Sequence, residues 1–341
     1  MKLALPVLLL SGVIGLGAVP GVAGAQPLAH RFIEVAPDVY AAVGNGTIQT
    51  QDTVAVVVNE DDVLLVDTNI TPEATRRLVA DIKTLTDKPI RYVVNTHWHY
   101  DHTDGNQVFG PEVQIIGHVN ARKAIVDGVL QARLELALSD LPATIDALQS
   151  RVAAEQDPTR RAELEQQLAV RQAFGEQLRE TVPTPPNVTL TDRVTIYSGD
   201  REIQIIHPGP GHSVGDLLVY LPAERVIMTG DFWEGSRTGA LRFGFHDLWA
   251  DNLEPLKDMD FEHVIGGHGG PFTGKETIGY FQAFLRDLWE QTKALHDQNV
   301  PVADAAMRVD LTKHQEHYAN IRTPGFEERT IARIYQVLNE R

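Results

Sequence analysis

Three imidazoles and a carboxylate fall within six positions of this chain, in the stretch Asn95-Thr96-His97-Trp98-His99-Tyr100-Asp101-His102-Thr103-Asp104-Gly105-Asn106. The stretch follows a short apolar run, Ile90-Arg91-Tyr92-Val93-Val94, that reads as a buried strand. Buried strands usually end in turn residues, not in groups that are costly to desolvate. A cation that gathers these groups removes the difficulty. Imidazole nitrogen and carboxylate oxygen are ligands that divalent zinc, manganese and iron accept. His97 and His99 are two apart, so in extended backbone both rings project to one side. Asp101 and His102 come where the chain turns away, in position to serve a second ion beside the first. The bland alternative is a His-rich surface loop, but a chance HxHxDH is rare.

Charge and cysteine content narrow the class. The chain has 341 residues, 46 acidic against 30 basic side chains, a formal charge of −16 and no cysteine. Such acidity argues against a nucleic-acid partner, because phosphate binding needs a basic face. Without cysteine there is neither a disulfide nor a thiolate ligand. Residues 1–25 fit a secretory signal: Lys2, an apolar core around Leu8-Leu9-Leu10, and Ala23-Gly24-Ala25 as a small-x-small cleavage site. Pro6, Gly12, Gly15 and Gly17 break that core, which argues against a stable membrane anchor. The expectation is an exported, periplasmic mature protein over 26–341 with no membrane span.

In chain order, Phe32–Val35 and Val39–Val43 read as strands. Thr53–Val58 and Val63–Asp67 read as a hairpin about Asn59-Glu60-Asp61-Asp62. Thr71 and Pro72 open an amphipathic helix carrying Leu78, Ile82 and Leu85. Val113–Ile116 is a further strand, and a helix starts near Asn120. Residues 120–182 carry helical leucine periodicity with a start signal at Asp157-Pro158, which predicts an inserted helical hairpin, with a lid over the site as one use for it. After the extended Pro183-Thr184-Pro185-Pro186 come strands at Val194–Tyr197, Ile203–Ile206, Leu217–Leu221 and Val226–Thr229. Helices dominate 275–341, with spacing that reads as ordinary core packing. Two strand-rich halves suggest two sheets packed face to face with helices outside.

Three further ligand candidates close predicted strands. They are His212 in Pro208-Gly209-Pro210-Gly211-His212-Ser213-Val214-Gly215-Asp216, Asp231 in Thr229-Gly230-Asp231, and His268 in Gly266-Gly267-His268-Gly269-Gly270. One histidine in a glycine turn is ordinarily structural. Three such sites beside HxHxDH reverse that expectation. In this order the motifs resemble the metallo-β-lactamase superfamily of binuclear hydrolases, over about residues 32–275. The resemblance implies an α+β fold, a four-layer αββα sandwich, here with a helical insertion and a helical C-terminal segment. It implies that His97, His99 and His212 hold one metal, and that Asp101, His102 and His268 hold another. Asp231 would bridge the two, and Asp67 would brace the metal loop. The implied cofactors are two divalent ions, zinc first among them.

Departures from the best-known members narrow the activity. One β-lactamase class has cysteine where this chain has Asp231. A bridging aspartate is similar to glyoxalase II and lactonases. His99 stands where flavodiiron oxygen reductases carry glutamate. The expected reaction is attack by a metal-bridging hydroxide on a small ester, lactone, thioester or similar carbonyl substrate, with Asp101 orienting or shuttling a proton. The alternatives are a periplasmic β-lactamase and a non-catalytic metal-binding accessory protein. Trp98, Tyr100, Phe232 and Trp233 flank ligand positions and belong either to a pocket or to the core. Glu234, Arg237 and His246 follow the bridging aspartate and are candidates to border a substrate.

Overall fold

Strand Thr53–Val58 shows how the layers are built. All six residues are buried, yet they alternate between two different cores. Val54, Val56 and Val58 pack outward with Leu78 and Ile82, while Ala55 and Val57 pack inward against Ile203, Ile205 and Val219. A strand covered on both faces has no polar face to show, so its sequence is a continuous apolar run.

The computed structural model describes residues 27–340, so the expected signal at 1–25 lies outside the described residues. The first sheet runs in chain order: β1 (His30–Ala36), β2 (Val39–Gly44), β3 (Thr53–Val58), β4 (Val63–Val66), β5 (Ile90–Val94), β6 (Gln114–His118) and β7 (Val188–Leu190). It is antiparallel through β4 and parallel from β4 to β7. The second sheet contains β8 (Arg193–Ser198), β9 (Arg201–Ile206), β10 (Leu218–Leu221), β11 (Val226–Gly230), β12 (His263–Gly266) and β13 (Phe272–Thr273), ordered from β13 to β8. Its one parallel pair is β11 with β12. β7 and β13 escape the sequence reading because three and two residues are too few for a period to register.

Helix α1 (Pro72–Ile82) covers the outer face of the first sheet. Thr71 caps it by accepting from the Ala74 amide at 3.1 Å, as the sequence predicts. Leu85 falls beyond its end, because the helix stops at Ile82. The short α2 (Tyr100–Thr103) lies inside the His-rich stretch. Next come α3 (Val119–Val126), α4 (Val129–Ala154) and α5 (Pro158–Arg179), the last capped by Asp157. Then α6 (His246–Asn252), α7 (Glu276–Asp297), α8 (Val302–Arg308) and α9 (Glu328–Asn339) pack on the second sheet around Trp233, Trp249, Phe281 and Phe284. The result is an α+β sandwich of two mixed sheets between helices, the architecture expected. Among the described residues, no helix is long and apolar enough to cross a membrane.

Candidate metal centre

The loops after β4, β5, β9, β11 and β12 converge at one edge of the sandwich, and they bring all seven candidate ligands together. His97 Nε2 and His212 Nε2 each lie 2.9 Å from His99 Nδ1. A ring nitrogen of a neutral imidazole carries either one N–H or one lone pair, so His99 Nδ1 makes one good hydrogen bond and the second short contact is left without one. A cation between the three nitrogens would accept all three lone pairs at once. Nitrogens about 2.0–2.1 Å from a tetrahedral zinc would lie about 3.3 Å apart, close to this spacing.

The remaining groups adjoin. Asp231 Oδ2 is 3.4 Å from His212 Nε2 and 3.3 Å from His268 Nε2, and Asp231 Oδ1 is 3.4 Å from His102 Nε2. Asp231 thus touches both clusters. Asp101 Oδ2 is 3.6 Å from His268 Nε2 and 3.9 Å from His102 Nε2. His102 Nε2 and Asp231 Oδ1 are buried without a hydrogen-bond partner. A ring nitrogen and a carboxylate oxygen that both face one buried centre, each without a partner, fit a bound cation better than they fit a protein core. The donor set, nitrogen and oxygen with no sulfur, suits divalent ions of the zinc type. His97, His99, His212 and Asp231 would hold one ion, and Asp101, His102, His268 and Asp231 the other.

Charge separates the two groups. Burial, reinforced by neighbouring imidazoles, holds His97 and His99 well below the usual histidine range. Burial brings His212 down to about 4. For His268, burial pulls down but the Asp231 carboxylate prevails and pushes it up to about 10. His102 is likewise raised, burial being outweighed by Asp231, Asp67 and Asp101. Asp231 sits well below the carboxylate range: burial opposes this, and the surrounding histidines overcome it.

Bracing comes from behind. Asp67, at the end of β4, accepts from the Thr96 amide and hydroxyl and contacts His102 Nδ1, all at 2.8 Å. This contact fixes the His102 ring so that Nε2 faces the centre. Gly267 approaches so closely that a Cβ there would strike Asp231 Oδ1 and crowd the His102 ring. Gln51 is a support that the sequence reading missed. Its side-chain amide donates to Asp101 Oδ2 at 2.7 Å, and its backbone carbonyl faces His268 Nδ1 at 3.0 Å. A lone glutamine between strands carries no sequence signal of that role.

The cluster floors a cleft of about 830 Å³. Tyr100, Glu234, Arg237, Arg242, Phe243 and Asn320 are among its walls. Glu234 and Arg237 therefore border the cleft as the sequence suggested, whereas His246 is buried in the core. Phe232 and Trp233 are also core, Tyr100 lines the cleft, and Trp98 lines a neighbouring one. No residue of 120–182 lines this cleft, so the inserted hairpin does not close over it as a lid. The C-terminal segment, read as plain packing, contributes Ala319 and Asn320.

Comparison with known proteins accords with this geometry. The metallo-beta-lactamase superfamily model matches residues 49–268, more than half of the chain. A linear primary-alkylsulfatase from Pseudomonas sp. (strain ATCC 19151) is 24% identical over 297 residues, covering 81% of this chain and 53% of that protein. The chain spans about half the length of the curated relatives it matches. Among solved structures, the stereoselective inverting sec-alkylsulfatase Pisa1 from Pseudomonas sp. superposes with a TM-score of 0.66 at 18% identity, over 90% of this chain and 50% of that one. A metallo-beta-lactamase from Pontibacter korlensis gives 0.55 at 16% identity, over 75% of this chain and 99% of its own. The chain belongs to the metallo-β-lactamase superfamily.

Proposed function

We propose that the chain is a binuclear metal-dependent hydrolase of small anionic esters, alkyl sulfates foremost. The observation that carries this reading is the position of Arg237 and Arg242 on the wall of the cleft above the ligand cluster. The molecule as a whole is strongly acidic and repels anions. Two guanidiniums beside the reacting centre are a local exception, and their fork geometry suits the oxygens of a sulfate or carboxylate. The alkylsulfatase relative supplies the sulfate ester as the class to test first. This moves the reading from the carbonyl esters expected from sequence to esters that carry their own charge.

When bound, a pair of divalent cations supplies Lewis acidity and makes water acidic enough to react near neutral pH. The protein's part is placement. Asp67 and Gln51 hold His102 and Asp101 in register. Asp231 keeps the two groups of ligands adjacent. Asp101, at the cleft floor, is the candidate to accept and return a proton. Arg242, beside Phe243, orients the anionic end while the aromatic ring takes apolar contact.

Zinc-loaded protein should be assayed on alkyl sulfates, lactones, thioesters, phosphodiesters and β-lactams. The expected result is turnover of alkyl sulfates that a chelator abolishes and zinc restores, with KM raised in Arg242→Met. Turnover confined to β-lactams or to neutral lactones would replace the reading. Two bound metals with no turnover on any class would favour the accessory protein.

A further inference from the structure

Glu234 lies three positions past Asp231, in a turn folded around it. Residues 234 and 237 form an antiparallel bridge, the Arg237 amide donates to the Glu234 carbonyl at 3.3 Å, and Gly235 takes φ +64°. Gly239 closes over the side chain: a Cβ there would sit 3.0 Å from Glu234 Oε2. The carboxylate is 2% exposed, and neither of its oxygens has a hydrogen-bond partner. Its nearest cation is Arg237, with Nε at 3.8 Å and a side chain 60% exposed. That distance exceeds a hydrogen bond, so this pair leaves both oxygens unsatisfied. Carboxylates are almost never buried unpaired. The other groups within reach are ligand atoms: Asp231, Glu234 and His268 each offer one within 4.8 Å of the others.

We infer that Glu234 is a further carboxylate ligand of the metal centre, joining Asp231 and His268 on the side of the second ion. The inference rests on the binuclear reading of the site. A cation there satisfies oxygens that nothing else in the turn reaches, and it explains why the turn roofs over a charge. An additional anionic oxygen strengthens the hold of the second side on hard divalent ions, which favour oxygen donors. Neutral burial of a protonated carboxyl is the competing account, since burial, followed by the Asp231 charge, pushes Glu234 up to about 8. The two accounts differ in what the metal feels.

Zinc content and stepwise zinc affinity of the full chain decide between them. Wild type, Glu234→Gln and Glu234→Asp are compared, together with the visible spectra of their cobalt(II) forms. Glu234→Gln keeps the shape and removes the ligand charge. It should weaken the second equivalent by about tenfold or more, leave the first unchanged and alter the second-equivalent cobalt bands. Glu234→Asp keeps the charge but withdraws it by one methylene, so it should weaken the second equivalent less, and it guards against a folding failure of the amide. Wild-type affinity for both equivalents in Glu234→Gln, with unchanged cobalt bands, would overturn the inference while leaving the binuclear reading intact. A wild-type chain that takes up only one zinc would overturn both.

Discussion

The two sides of the metal centre share one loop and one aspartate, yet they are built on opposite principles. On the first side three imidazoles are buried and kept neutral by that burial. His212 Nδ1 has no partner behind it. On the second side, carboxylates raise the proton affinity of His102 and His268, and Asp67 and Gln51 stand behind the ligands. His268 keeps 17% of its side chain exposed toward the cleft. The contrast indicates a division of labour. The first side is a buried nitrogen site that accepts a cation without giving up protons. The second is a charged, adjustable site facing the substrate, from which a cation must displace protons.

Asp231 is where the contrast breaks down, because it belongs to both sides. Asp231→Ala removes both the oxygen facing His212 and His268 and the oxygen facing His102. It should lower occupancy of both ions and reduce turnover by about a thousandfold or more. Metal analysis alongside a rate measurement checks this. Full turnover with two ions retained would remove the shared role and leave two independent sites.

Proton release sharpens the contrast next. His212 has a folded value of about 4, below the histidine norm, so its neutral form contributes stability above the unfolded value of about 6.5 that is lost as pH falls through 4. His268 is the reverse. Raised to about 10, its charged form contributes stability in the metal-free protein below about 6.5, and this is lost as pH rises through 10. At pH 7 the second zinc should therefore release more protons than the first, because the groups whose proton affinity is raised, His102, His268 and Glu234, all lie on its side. The second affinity should then rise more steeply with pH near neutrality than the first. Calorimetry in buffers of different ionisation enthalpy counts the protons. Equal release by both equivalents would erase the distinction.

Support from behind should matter more on the second side, which Asp67 contacts directly, than on the first, which it reaches only through Thr96 and His97 Nδ1. Asp67→Asn is nearly isosteric and can keep the acceptance from the Thr96 amide, but it replaces the oxygen shared by the Thr96 hydroxyl and His102 Nδ1 with an NH2 and removes the charge paired with His102. Loss of such a partner typically weakens a metal site by about 10- to 100-fold. The second equivalent should show that loss, and the first should hardly change. A uniform loss at both equivalents would mean that Asp67 acts on the whole loop through Thr96.

These contrasts also mark where sequence reading succeeds. HxHxDH is legible because its residues are neighbours in the chain, so spacing alone sets their faces. His212, Asp231 and His268 are legible because each follows an apolar run, and strand ends at one sheet edge must meet. Asp67 closes β4 in the same manner, at a left-handed φ of +71°. Gln51 and Asn320 are not legible. They reach the site through tertiary approach from segments with no periodicity of their own, and nothing local distinguishes them from surface amides. The inserted hairpin misleads in the other direction. Its periodicity announces the helices but not where they dock, because docking depends on tertiary contacts such as Leu134, Phe174 and Leu178 against Ile70.

That docking leads to the smallest effect. From α4, the Arg133 guanidinium carbon lies 3.2 Å from the centre of the Tyr100 ring, and Nη1 lies 3.7 Å from Asp104 Oδ2. Tyr100 and Asp104 bracket Asp101 and His102, so the insertion grips the outer turn of the second side. Asp104 is pushed up to about 8 by burial, with Arg133 opposing. Arg133→Met preserves much of the side-chain packing and removes the charge. A stacked, partly exposed cation of this kind contributes about 1 kcal/mol, a factor of about five. The second zinc affinity should fall by about that factor, with the first unchanged and Arg133→Lys intermediate. Should Arg133→Met lower only the unfolding midpoint and leave both affinities alone, the insertion would be a prop for the fold, and the asymmetry of the centre would end at Asp67 and Gln51.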